Sequence, residues 1–280
     1  MYYFYIIGRA FSLFLPRKLA YSLARWLATC QYYLSKKDRD IVINNLSPII
    51  EDKKKRQECA KKVFINFAYY LVDFFRYSKL NKGFVEKYVR ISGLELIEEA
   101  IQQKKGVIAV TAHIGNYELA GAVTALAGYK VNAVALSHKD KRINDFFNKQ
   151  REMVGVSVIP ANMAIKRCFS ILRNGQLVAF LGDRVFSGSG VLANMFSRQA
   201  LLPRGPAFFA VKTQAAIFPA FFVRENKNFY HLIFEKPINT KELKTEESII
   251  KEYSSVLEKY IKMYPDQWYL FQPYWLNNNS

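Results

Sequence analysis

From about residue 90 onward the chain repeats one pattern, a short wholly apolar run followed by a helix-length piece. The runs are GVIAVTA (106–112), VNAVAL (131–136), VGVSVI (154–159) and QLVAFLG (176–182), with helix-length pieces at 94–104, 116–127, 141–152 and 162–173. A strand that is apolar at every position is buried on both faces, as in a parallel sheet covered by helices. The alternation therefore predicts an α/β fold: a mostly parallel sheet flanked by helices, with right-handed crossovers. AAIFPAFFV (215–223) reads as a further strand and FYHLIF (229–234) as a more exposed one. A helix at about 243–264 and the aromatic tail PDQWYLFQPYW follow. Ser187-Gly188-Ser189-Gly190 reads as a connecting loop; it has neither the GxGxxG nor the P-loop spacing that cradles phosphates.

Residues 1–35 are of another kind. MYYFYIIGRAFSLFLPRKLAYSLARWLATCQYYL has two apolar stretches broken by Arg9 and by Pro16-Arg17-Lys18. Neither reaches the roughly 18–20 apolar residues of a spanning helix. No basic residue precedes the first apolar run, which argues against a secretory signal. The expectation is an N-terminal segment (1–35) of amphipathic, membrane-associating helices, with Arg17, Lys18 and Arg25 toward lipid phosphates, ahead of one α/β domain (36–280). Core-packed helices with a basic outer face are the plainer alternative.

The charge balance points the same way. Lys and Arg total 41 against 23 Asp and Glu, a net charge of +18 that calls for an anionic partner, either a membrane surface or nucleic acid. Aromatic residues make up 15%, and Tyr and Trp suit a wet–apolar boundary. No nucleic-acid-binding motif is present, so a non-catalytic binder of anionic membranes or nucleic acid is the alternative of another class. Cys30, Cys59 and Cys168 form no CxxC pair, which argues against a disulfide framework and a Cys-based zinc site and fits a reducing, cytoplasm-facing setting.

In open α/β sheets ligands gather at the carboxyl ends of the strands. There, after the first apolar run, stands Thr111-Ala112-His113-Ile114-Gly115-Asn116-Tyr117-Glu118. His113 falls at the strand end and Glu118 in the first turn of the next helix, so across the corner the two can face each other, with Gly115 easing the turn. A carboxylate against an imidazole fixes its tautomer and makes it a general base for an alcohol. The bland reading is that Asn116 caps the helix and Glu118 favours its positive end without catalysis. His138 and His231 have no acid at a matching spacing and receive no catalytic part.

The string His113-Ile-Gly-Asn-Tyr-Glu118 resembles the HX4(D/E) motif of glycerolipid acyltransferases, and more closely the HxGNxE form of the late lipid A acyltransferases (lauroyl and myristoyl transferases). Further blocks are similar in order. They are Asn148-Lys-Gln-Arg151 before Gly155, Phe180-Leu-Gly-Asp183-Arg184, Met195 through Ala207, and Pro265-Asp266-Gln267-Trp268. Ser197 stands where the family usually has Gly, and Leu202 where it has Thr. The resemblance implies an O-acyltransferase at the cytoplasmic face of the inner membrane, peripheral or monotopic, most closely one of lipid A (lipopolysaccharide) biosynthesis. Its partners would be acyl carrier protein or acyl-CoA, a lipid acceptor and the membrane surface, with no nucleic acid, no metal and no cofactor besides the acyl co-substrate. It implies His113 and Glu118 as the catalytic pair, with Arg151 and Asp183 joining the site as substrate-binding; helix-start amides together with Arg151 would stabilise the oxyanion. Of the remaining substrate-binding candidates, Asn116 positions the acceptor or only caps its helix, and Arg204, just before Pro206 at a helix start, binds phosphate or is simply exposed. A lysophospholipid, a glycosylated phosphoinositide or an amino-acid lipid is the alternative acceptor.

Overall fold

The computed structural model describes residues 2–185, 190–226, 228–240, 242–243 and 245–276. Four helices come first: α1 (Tyr2–Phe14), α2 (Arg17–Leu34), α3 (Lys36–Asn45) and α4 (Lys53–Phe75). Next are α5 (Lys82–Tyr88), β1 (Val89–Ser92), α6 (Leu94–Gln102) and β2 (Val107–Thr111). The expected alternation follows: α7 (Tyr117–Leu126), β3 (Val131–Ala135), α8 (Lys141–Met153), β4 (Val156–Pro160), α9 (Ala164–Arg173) and β5 (Leu177–Leu181). The chain ends with β6 (Gly190–Met195), β7 (Arg198–Pro203), α10 (Gly205–Thr213), β8 (Ala216–Arg224), β9 (Tyr230–Phe234) and α11 (Glu246–Met263).

Seven strands form one sheet in the order β1-β9-β8-β2-β5-β3-β4. From β8 to β4 every pairing is parallel; β9 runs antiparallel to β8 and parallel to β1. The fold is thus the predicted α/β class. On β2, Ile108 and Val110, with Ala112 just after it, pack with α9, α10 and α11, whereas Val107 and Ala109 pack with α7 and α8. Burial on both faces holds best for the central β2 and β5; β3 and β4, toward the edge, leave several residues partly exposed. FYHLIF is not an exposed strand: β9 lies inside the sheet and buries Tyr230, Leu232 and Phe234.

Two features had no clear sequence signal. β1 is only four residues long, with two polar side chains. The β6–β7 hairpin turns at Phe196 and Ser197, both left-handed (φ 50° and 59°), the conformation of a tight two-residue turn that glycine adopts most readily. The departure from glycine at Ser197 therefore falls on a backbone that still needs a positive φ. Of the loop Ser187-Gly188-Ser189-Gly190, only Gly190 lies within the described residues.

α2 lays Ala20, Tyr21 and Ala24 against Val72 of α4. α1 is held at its carboxyl end. Arg76 Nη1 donates to the carbonyls of Ser12 and, at 3.0 Å, Leu15, while Lys79 Nζ donates to Leu13 O at 2.6 Å. Cations there satisfy carbonyls that the helix leaves unpaired and suit its negative end. The outer faces remain apolar: Phe4, Ile7, Phe11 and Phe14 on α1, and Leu19, Leu23, Trp26, Leu27 and Leu34 on α2, are exposed. Lys18 and Arg25 are exposed beside them. Among the described residues no helix is long and apolar enough to cross a membrane. Arg17 departs from expectation. It turns inward, donating to the Tyr21 hydroxyl (2.8 Å) and the Tyr230 hydroxyl (2.7 Å) and lying over the rings of Phe84 and Tyr88.

Candidate active site

The register of the sheet brings the central groups together. β2 and β5 are parallel neighbours in which Val107 faces Leu177, Ala109 faces Ala179 and Thr111 faces Leu181. Continued two residues past the strand ends, the same offset places His113 beside Asp183. His113 Nδ1 lies 2.8 Å from Asp183 Oδ1, and the His113 amide donates to Asp183 Oδ2 at 2.9 Å. The Trp268 indole N–H donates to that second oxygen at 3.1 Å. Asp183 is fully buried. Burial alone would push its carboxyl up, but the His113 charge and these donors outweigh it and hold the carboxyl below the usual carboxylate range. An ionised carboxylate only accepts, so Nδ1 carries the hydrogen of this contact.

The acid on the imidazole is therefore Asp183, where the sequence pointed to Glu118. Glu118 does sit in the first turn of α7, but it is gripped by Arg151 from the last turn of α8. Arg151 Nε donates to Glu118 Oε2 at 2.9 Å and Nη2 to Oε1 at 2.5 Å, both side chains being largely buried. Burial opposes the Arg151 charge, yet Glu118 outweighs it and raises the guanidinium further. Two charges sealed together this way neutralise each other, so Arg151 is a partner to Glu118 before it is anything to a phosphate.

The loop between His113 and Glu118 is fixed from several sides. Gly115 is left-handed (φ 61°), and a Cβ on it would lie 2.0 Å from the Phe222 carbonyl oxygen. Gly115→Ala should therefore cost more than about 1 kcal/mol of stability, read as a lowered urea midpoint at unchanged slope; an unchanged midpoint would show that the loop can shift at no cost. Asn116 caps α7, its Oδ1 accepting from the Leu119 amide at 3.1 Å. Its Nδ2 donates to Asp73 Oδ2 at 3.3 Å. The tail runs along the same loop: Gly115 N donates to Gln267 O at 2.8 Å, and Tyr269 N donates to His113 O at 2.7 Å.

Asp73, from α4, went unnoticed in the sequence. Tyr21 and Tyr230 donate their hydroxyl hydrogens to it, Arg224 Nη2 donates at 2.9 Å, and Arg17 lies 3.6 Å away. Those partners come from α2, β8 and β9, so nothing in the local sequence announces the cluster. Arg204 takes no part in the His113 cluster's described contacts; it is largely exposed and pairs with Glu246. His138 packs on Phe147, and His231 meets Ser92 and Arg90. Cys59 and Cys168 are buried, and burial pushes both thiols up to about 12, so neither is a nucleophile at neutral pH. Among the described residues no three His, Cys, Asp or Glu side chains converge as a metal ligand set.

A narrow cavity opens beside this corner, between α7 and the sheet. Thr111, Tyr117 and Glu118 bound one end, and Val131, Val156 and Leu177, at the starts of their strands, bound the other. Small residues (Ala109, Ala120, Gly121, Ala133, Ala179) line it between. His113 sits edge-on to the Tyr117 ring, 5.3 Å between centroids.

Two curated relatives are similar to this chain. The phosphatidylinositol mannoside acyltransferase of Mycobacterium tuberculosis is 25% identical over 194 residues, which is 68% of this chain and 61% of that protein. The phosphatidylinositol mannoside acyltransferase of Mycolicibacterium smegmatis is 23% identical over 223 residues, 77% of this chain and 71% of that protein. The first match thus spans less than two thirds of its relative's length. The family model for the bacterial lipid A biosynthesis acyltransferases matches residues 1–277, nearly the whole sequence, and the chain belongs to that family.

Proposed function

We propose that this protein is an O-acyltransferase acting at a membrane surface, moving a fatty acyl group from the thioester of acyl carrier protein or acyl-CoA to a hydroxyl of an anionic glycolipid. The observation that carries this reading is the His113–Asp183 pair, at the β2–α7 corner whose Thr111, Tyr117 and Glu118 line the apolar cavity under α7. His113 Nε2 takes the acceptor proton as the acceptor oxygen attacks the thioester carbon. Asp183 holds the tautomer and balances the imidazolium. The thiolate leaves directly, so the reaction needs no acyl-enzyme. Glu118 and Arg151 brace the first turn of α7 against α8.

The cavity supports binding of the acyl chain. As it stands it holds about 70 Å³, so a full-length chain enters by parting α7 from a wall of alanine and glycine. Phe221 and Phe222 are fully buried core, Phe221 stacked on Tyr260 and Phe222 tilted against Tyr230. The apolar stripes of α1 and α2, flanked by Lys18 and Arg25, support seating on an anionic leaflet, as does the net charge of +18.

The family description supports a lipid A precursor as acceptor and the relatives' names a phosphatidylinositol mannoside; both are anionic sugar lipids. The deciding assay incubates the purified full chain with an acyl-thioester donor and anionic vesicles carrying one acceptor or the other. Mass spectrometry should find one acceptor heavier by an acyl group, with release of free thiol. Donor left intact with both acceptors would count against acyl transfer to glycolipids.

A further inference from the structure

Thr111 ends β2, and its hydroxyl oxygen is closed off from solvent without any hydrogen-bond partner. An unsatisfied buried hydroxyl is destabilising, so its place in the fold calls for an explanation. Alternation along β2 puts Ala109 and Thr111 on the face turned to α7, and His113 follows two residues after the strand's last residue. Thr111 also lines the cavity together with Tyr117 and Glu118. The hydroxyl therefore belongs to the part of the cavity lining from which the chain turns into the corner that carries His113, where the head of an acyl chain would come to rest.

Several of the groups expected to hold an oxyanion here are already engaged. At the start of α7, Gly115 N donates to Gln267 O (2.8 Å), Asn116 N to Phe222 O (2.7 Å) and Leu119 N to Asn116 Oδ1 (3.1 Å). Arg151 is bound to Glu118. We propose that Thr111 donates its hydroxyl hydrogen to the thioester carbonyl oxygen and holds that oxygen as it becomes an oxyanion. This rests on the acyl-transfer reading above.

In the step, the acceptor O–H gives its proton to His113 Nε2 while its oxygen bonds to the thioester carbon. The carbonyl π pair moves onto the oxygen held by Thr111. When that pair returns, the C–S bond breaks, and the thiolate takes the proton back from the imidazolium. The donor's contribution belongs to the transition state, where the negative charge is largest, and loss of one such donor typically costs about 10²–10³ in turnover.

Thr111→Val keeps the shape and removes only the hydroxyl; Thr111→Ser keeps the hydroxyl. Thr111→Val should lower kcat about 10²-fold with the donor's KM little changed, while the melting temperature stays level or rises because an unsatisfied polar group has gone. Thr111→Ser should keep kcat within a few-fold. Normal turnover in Thr111→Val, or equal losses in the two variants, would overturn the assignment. His113→Ala run alongside separates the two claims. A dead His113→Ala with an active Thr111→Val removes only the role of Thr111, whereas an active His113→Ala removes the general-base reading beneath it.

Discussion

His113→Ala should fold and should transfer acyl groups about 10²–10⁴ times more slowly than the parent, the usual contribution of a positioned general base. It should fold because Asp183 keeps two donors without the imidazole: the backbone amide of residue 113 and the Trp268 indole. The carboxylate is then still hydrogen-bonded, and the loss of stability stays on the order of 1–3 kcal/mol. Circular dichroism and a melting curve check the fold, and acyl transfer to vesicle-borne acceptor checks the rate. Asp183→Asn belongs in the same experiment. Its amide can present an N–H to Nδ1 and so favour the wrong tautomer, lowering kcat by a comparable order while leaving the ring in place. Full activity in Asp183→Asn would reduce the contact to scaffolding.

The largest loss of stability is expected at Asp73. Removing its carboxylate takes away the counter-charge that Arg17 and Arg224 share, and deprives Tyr21, Tyr230 and Asn116 of their shared acceptor. The side chains of Asp73, Arg224 and Arg17 are only 5%, 11% and 18% exposed, so water screens them little. Breaking a buried pair from one side typically costs about 3–5 kcal/mol. Asp73→Ala should show that loss in urea denaturation, whereas a change under 1 kcal/mol would mean the cluster is worth no more than surface charges. Activity should fall as well, because Asn116 both binds Asp73 and caps the helix that carries Glu118.

Much of the fold was legible because a strand buried on both faces must be apolar throughout, and GVIAVTA and QLVAFLG are. The corner at His113 was equally plain: Gly115 where the backbone is left-handed, Asn116 as the cap and Glu118 in the first turn. The partner of the imidazole was not. Glu118 is five residues away in sequence and Asp183 seventy, and only the order of strands, with β5 inserted between β2 and β3, makes the distant one adjacent. Local spacing carries no trace of that order. Arg17 misled for a similar reason. Beside Lys18 in an amphipathic segment it looks like a headgroup ligand, and the acid and tyrosines that draw it inward come from elements far along the chain.

The strip from Gln267 to Tyr269 has a consequence for synthesis on the ribosome. It lies across the His113 loop like a batten, tied through Gly115 and the His113 carbonyl, and it delivers the indole that steadies Asp183. All seven strands of the main sheet have left the ribosome before it does. A nascent chain can thus complete the framework of the sheet while the His113 corner is still unbraced, so that corner is closed last.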